Sequence, residues 1–185
     1  MGVLSLLVLA LVFAMFSGND EPRQLSLVVL DKTVPDRSFR EHKGLFNVLE
    51  GKFLNAGTGK DFSIENDYFG FVPVGGDTYT IRHLPPDFQG LDLFYLADAY
   101  GVYTQDFFGR NPQGERSTKI FGGLTLADVS SVRKALSAGA LLIAEFNTFA
   151  SPTGDEPGHA IADLLGVRWN GWIGRHFTNM GRDGE

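Results

Sequence analysis

The stretch Gly122–Thr153, GGLTLADVSSVRKALSAGALLIAEFNTFASPT, decides the fold. Thr125 is placed to cap a helix, and Asp128, at the third helical position, favours the positive end of the helix dipole. Leu126, Val129, Val132 and Leu136 recur at helical spacing and form its expected buried stripe. Gly139 is placed to take the left-handed turn that ends the helix. Ala140–Phe146 then reads as a buried strand, closing on a polar loop with Glu145, Asn147 and Thr148. A capped helix, a tight turn and an apolar strand make half of an α/β unit, and its loop lies where such folds carry function.

Working outward, Leu25–Leu30 (LSLVVL) is a continuous apolar run ending at Asp31, the pattern of a central strand covered on both faces. Apolar residues at Leu45, Phe46 and Leu49 predict a helix from about Phe39, stopped by Gly51, or by Gly57 after a frayed turn. Asn55–Val74, rich in Gly, Asp and Asn, reads as a long irregular connection, in which Tyr68–Phe71 is either a strand fragment or loop aromatics packed on the core. Tyr79–Ile81 alternates as a short strand and is ended by Pro85 and Pro86. Leu91–Ala97 is the next buried strand and closes on Asp98. Phe107–Lys119 reads as a surface loop, Gly158–Leu165 as a helix ended by Gly166, and Val167–Phe177 as an aromatic strand and turn. Strands alternating with helices predict an α/β three-layer sandwich with a mostly parallel, doubly wound sheet, formed by residues 25–180.

The chain has 185 residues, 43% hydrophobic and 21% charged, which suits one packed domain. Its net charge of −6 gives no electrostatic footprint for nucleic acid. With no cysteine, disulfides, thiolate metal sites and a cysteine nucleophile are excluded. Val3–Phe16 is apolar apart from Ser5. It is too short for an ordinary spanning helix of about 20 residues but fits the core of a signal peptide or an uncut anchor. Residues 1–18 are therefore expected to form an N-terminal hydrophobic helix whose residues 2–17 meet the membrane, followed by a hinge at 19–24. The domain is then anchored or exported, on the extracytoplasmic side.

In a parallel sheet, ligands bind outside the carboxyl ends of the strands. Three predicted strands finish in acids, Asp31, Asp98 and Glu145, and their loops add Lys32, Thr33, Tyr100, Tyr103, Asn147 and Thr148. On neighbouring strands these groups converge on one rim. The acids are candidates for general acid/base chemistry, including the carboxylate pair of a glycoside hydrolase, or for holding Ca²⁺ or Mg²⁺. The structural alternative is that each caps a turn or pairs with Arg37, Arg40, Arg82 or Arg175. Glu145, directly after Leu142-Ile143-Ala144, most needs a partner. Thr33, Tyr100, Asn147 and Thr148 are the candidate ligand-binding residues. His42, His83, His159 and His176 lack metal-ligand spacing, so no metal and no cofactor is expected. His42 reads as part of a solvated helix face. Asn55–Asp61 lacks the features of a phosphate loop, no serine-hydrolase elbow occurs, and Trp169, Trp172, His176 and Phe177 read as core or interface aromatics ahead of a sugar platform.

In layout, Leu25–Phe177 resembles the class I glutamine-amidotransferase-like superfamily, a flavodoxin-like α/β sandwich. Five segments, Asp31–Pro35, Ala97–Tyr103, Gly122–Thr125, Ala144–Thr153 and Trp169–Arg175, resemble a group of uncharacterised, membrane-anchored bacterial proteins. The superfamily places its catalytic cysteine on a strand-to-helix turn. Here Glu145 or Phe146 falls near that place, and the later His and Glu of the active enzymes are not visible, so glutaminase activity is not implied. The resemblance implies the fold and the position of the site; the leader, the missing nucleophile and the polar rim together point to a non-catalytic, membrane-anchored domain of this layout that binds a small ligand, glycan or partner protein at the rim of its sheet. The alternatives are a carboxylate-dependent hydrolase of envelope polysaccharide, using Glu145 with Asp98 or Asp31, and a structural module of a larger membrane protein.

Overall fold

The structure is a computed structural model that describes residues 21–109, 117–168 and 170. The leader Val3–Phe16, Trp169 and all of 171–177 lie outside the described residues. Among the described residues no helix is long and apolar enough to cross a membrane.

In chain order the elements are β1 (Arg23–Leu25), β2 (Leu27–Asp31), α1 (Arg40–Leu49), β3 (Phe53–Asn55), β4 (Lys60–Asp61), β5 (Phe69–Gly75) and β6 (Thr78–Arg82). They continue with β7 (Leu93–Asp98), β8 (Val102–Tyr103), α2 (Thr104–Phe108), β9 (Lys119–Phe121), α3 (Leu126–Ser137), β10 (Leu141–Ala144) and α4 (Asp155–Leu165). A 3₁₀ turn, Phe146–Thr148, separates β10 from α4. The main sheet has five strands in the order β10-β7-β2-β5-β6. Its first four strands are mutually parallel and β6 is antiparallel to β5, so the expected α/β class with a mostly parallel sheet is the one formed. A small sheet, β1-β3-β4, and a β8-β9 ribbon complete it. β1 begins at Arg23, inside the stretch read as a hinge.

The apolar run in β2 explains why it is central. Val28 and Leu30 face one side and pack with Phe94 and Leu96 of β7, Val129, Val132 and Ala135 of α3, and Ile161 of α4. Val29 faces the other side and packs with Phe39, Phe46 of α1, Tyr68 and Ala97. Each large side chain fully buried in these two layers contributes roughly 1.5–3 kcal/mol. α3 starts as the sequence predicts: Thr125 Oγ1 accepts from Asp128 N at 3.2 Å, and Asp128 Oδ2 accepts from Thr125 N at 2.7 Å. This reciprocal cap adds about 1 kcal/mol. Leu126, expected in the buried stripe, is instead 47% exposed, and Ala135 takes its place. At about 100° per residue Leu126 lies roughly 120° round the helix from Val132, which sits at the centre of the packed face.

The largest departure is in Asn55–Val74. This is not an irregular connection but holds the rest of β3, then β4 and most of β5. β5 is an interior strand whose Gly70 and Pro73 disguise it. Gly70 has φ +123°, and a Cβ built there would stand 1.8 Å from the carbonyl oxygen of Asp31; glycine is what lets β5 lie so close to the end of β2. Pro73 is tolerated because β2 pairs with β5 only at Phe69 and Gly70, so β5 has a neighbour on one side alone by that point. The helix read as Gly158–Leu165 starts earlier, at Asp155, and the expected surface loop 107–119 includes the end of α2 and the start of β9.

Candidate functional site

β2, β7 and β10 are adjacent and parallel, so Asp31, Asp98 and Glu145 do come to the same rim. Their environments differ, and none of the three pairs with Arg37, Arg40 or Arg82. Arg37 pairs with Glu65, Arg40 with Glu41, and Arg82 donates to the carbonyls of Glu65, Asn66 and Tyr68.

Asp31 is fully buried. Its Oδ1 accepts from Thr33 N at 2.8 Å, and its Oδ2 lies 2.6 Å from His42 Nδ1. His42 is therefore no solvated helix residue: it is 0% exposed, within ring contact of Phe39, Phe46 and Tyr68. The misreading has a physical cause, because the polar neighbours Arg40, Glu41 and Lys43 hide that His42, Phe46 and Leu49 share one face. His42 Nε2 lies 3.1 Å from the carbonyl oxygen of Ile64. A carbonyl only accepts, so Nε2 carries a proton and a second proton is shared between Nδ1 and Asp31. The pair is neutral overall wherever that proton sits. Burial pushes the Asp31 carboxyl above its ordinary range, and the His42 hydrogen bond pulls it back.

Asp98 is 2% exposed and bonded through both oxygens. Oδ1 accepts from Thr33 Oγ1 at 2.7 Å and from Tyr100 N at 2.6 Å, and Oδ2 accepts from Asn147 Nδ2 at 2.7 Å. Thr33 Oγ1 in turn accepts from Gly101 N at 2.7 Å. The loop after β2 and the loop after β7 are thus stitched together by one carboxylate and one hydroxyl. Lys32, also buried, adds a second clamp: Nζ donates to Asp128 Oδ2 at 2.5 Å and to Gly123 O at 2.9 Å, tying the β2 loop to the start of α3.

Glu145 sits apart from this network. Its carboxylate accepts from the Tyr95 hydroxyl, the partner that the sequence required; burial and this bond push the Tyr95 hydroxyl up. Thr148 is buried and its Oγ1 donates to Glu145 O at 2.6 Å, closing the 3₁₀ turn. Of the two residues expected to meet a ligand here, Thr148 is buried and bonded inward, and Asn147 is partly buried and donates to Asp98.

The open space lies on the α1 side of the stitched loops, in a cleft of about 380 Å³. Thr33, Glu41, Tyr100 and Gly101 are among the residues that line it, with Tyr103 and Asp106 coming from the β8–α2 segment. Of the residues expected to bind a ligand, Thr33 and Tyr100 line this cleft, and Tyr100 is 45% exposed. Tyr100 and Tyr103 lie ring to ring, centroids 5.1 Å apart and planes tilted by 39°. The turn into α1 is held by Phe39, a buried aromatic with φ +50°. A left-handed backbone at such a residue costs about 1–3 kcal/mol. It brings Arg40 and Glu41 to the cleft mouth.

Glu41 is the residue that the sequence reading missed. Its signal was position: it opens the helix after the first strand-to-helix loop, where sheets of this kind gather ligand groups. Burial pushes its carboxyl above the ordinary value of 4.5, and Arg40 partly offsets this. A raised carboxyl favours the folded state below pH 4.5, and that contribution fades as pH rises through the folded value. Glu41→Gln removes the titration. The melting temperature of the variant should therefore gain on the parent as the pH rises above 4.5. A thermal melt series in which the difference stays flat, or moves the other way, contradicts this assignment.

Among the described residues no group of acids and histidines is arranged to hold a metal ion. No protein-family model, curated protein or solved structure matches this chain.

Proposed function

We propose that this is a membrane-anchored ligand-binding domain of amidotransferase-like, doubly wound layout, with a cleft at the carboxyl rim of the sheet that holds a small polar ligand and does no chemistry on it. The observation that carries this reading is the fate of the rim acids. Asp31 and Asp98 are buried, with both oxygens of each bonded to His42 of α1 or to the loops that shape the cleft, and Glu145 does not line it. A glycosidic bond needs two carboxylates presented to it about 5–10 Å apart, and these three acids present no such pair in the cleft. What faces the space is Tyr100 and Tyr103 among polar and charged groups, Asp36, Arg40, Glu41 and Asp106 included, a lining able to orient a small polar molecule.

A fragment soak of crystals tests it, using a mixture of polyols, amino acids and nucleosides. The expected result is intact fragment density against Thr33, Glu41 and Tyr100. Density confined to other surfaces, or a cleaved or covalent product in the cleft, contradicts it.

One observation favours the hydrolytic alternative. Glu41 faces the cleft with a carboxyl raised by burial, the condition of a general acid. That reading moves the acid from Glu145 to Glu41, and turnover of an envelope polysaccharide that disappears in Glu41→Gln would establish it over the first.

A further inference from the structure

We propose that the outer edge of β10, with the apolar shelf beside it, is a docking surface for the chain's own residues 171–177, which pair parallel to β10 with Gly171 opposite Leu141. Among the described residues β10 is the outer strand of the main sheet. Its Leu142 and Ala144 pack into the core layer of α3 and α4. Side chains alternate along a strand, so Leu141 and Ile143 point to the opposite face, where they are 62% and 40% exposed. They lie beside Leu93 and Tyr95 of β7, which makes the shelf two strands wide. An outer strand that carries such a row is a template for further pairing.

The path of the chain names the occupant. β7, α3 and β10 form one parallel crossover that moves outward across the sheet. α4 packs on the same face as α3. A crossover of the same hand through α4 therefore delivers the next strand beyond β10, on the side that β7 does not take. α4 runs for 11 residues, roughly 16 Å of helix, and β10 for 4, roughly 13 Å of strand. The helix thus returns the chain to the amino end of β10, where a parallel partner has to start. Gly166, at φ +67°, ends α4 there. Residues 166–170 then serve as the connection, within the roughly 2–6 residues usual between a helix and a strand. A tether this short holds the segment at an effective concentration of about millimolar, which favours it over a second copy of the chain.

The register follows from two matching patterns. Leu141, Ile143 and Glu145 share the α1 face, and Gly171, Ile173 and Arg175 repeat the same period of two. Ile173 then extends the shelf beside Ile143, and Arg175 comes beside Glu145. The Glu145 carboxylate accepts from the Tyr95 hydroxyl and keeps lone pairs for a guanidinium. Trp172 falls on the opposite face, next to Leu142, and carries the α3–α4 layer outward. This gives the aromatic stretch after α4 a place in the sheet, and gives Glu145 a structural partner in Arg175.

Amide hydrogen exchange on the ¹⁵N-labelled full chain reads this pairing directly. Leu141 N donates to Asp92 O and Glu145 N to Leu96 O, so the alternate N–H groups of Leu142 and Ala144 point outward from β7. Both should exchange at least about a hundredfold slower than in a free peptide, and Ile173→Asp should speed both at least about tenfold while the Leu141 amide changes less. A methyl–methyl contact between Ile143 and Ile173 in the intact chain is the second readout, and it decides the matter if the variant fails to fold. Exchange at the free-peptide rate for Leu142 and Ala144, or no Ile143–Ile173 contact, overturns the proposal. A contact seen only between differently labelled molecules in a mixed sample assigns the edge to a second copy and overturns it as well.

Discussion

Asp31→Ala should lower the unfolding free energy by about 3–5 kcal/mol, the usual cost of removing one partner from a buried charged pair. Both Asp31 and His42 are fully buried, so water cannot replace the lost carboxylate. The truncation strips the acceptor from Thr33 N as well as the partner from His42 Nδ1. A conservative control separates this from simple loss of bulk. In Asp31→Asn the amide oxygen can still accept from Thr33 N. The amide NH₂ can donate to Nδ1 of a neutral His42, whose Nε2 proton stays on Ile64 O. Every buried polar atom keeps a partner, so Asp31→Asn should cost about 1 kcal/mol or less. Urea unfolding of the two variants checks the contrast. Losses of equal size in both, or an alanine variant within about 1 kcal/mol of the parent, would show that the pair does not hold α1 to the sheet.

Gly101→Ala is expected to be as damaging, about 3–5 kcal/mol, through backbone contact and not through lost bonding. Gly101 has φ +99°, and a Cβ there would lie 2.2 Å from Phe121 O and 2.6 Å from the Cα of Gly122. Both obstacles are main chain, so no rotamer change relieves them. The β8–β9 ribbon would have to move off the rim, pulling Gly101 N from Thr33 Oγ1 and opening the cleft wall. Thermal melting gives the stability loss, and the Tyr100 amide shift reports whether the wall has moved. A variant that melts within a few degrees of the parent contradicts the close approach of the two loops.

Much of this architecture was written locally. Thr125 with Asp128, the apolar run to Asp31 and the run to Asp98 each carry a signal that the fold honours. β5 was not legible because Gly70 and Pro73, ordinarily breakers, are licensed there by a close backbone approach and a missing neighbour, and neither is a local property. The candidate site divides in the same way. That Asp31, Asp98 and Glu145 end adjacent strands follows from strand order. That two of them bond inward follows from His42, Thr33 and Asn147, which come from other elements. Period and composition cannot report which way a carboxylate turns. Glu41 was missed for a related reason: its exposure to the cleft depends on the left-handed turn at Phe39, a conformation that an aromatic residue does not advertise.

In the proposed reading Asp98 acts through Thr33 on the loops of the cleft and not on a ligand. A double-mutant cycle between Asp98→Ala and Thr33→Val, read by urea unfolding, measures that link directly. The 2.7 Å bond between them, shared onward to Gly101 N, predicts that the two losses fall short of additivity by about 1–3 kcal/mol. Additivity within about 0.5 kcal/mol would contradict it, leaving Asp98 free of the role assigned to it here.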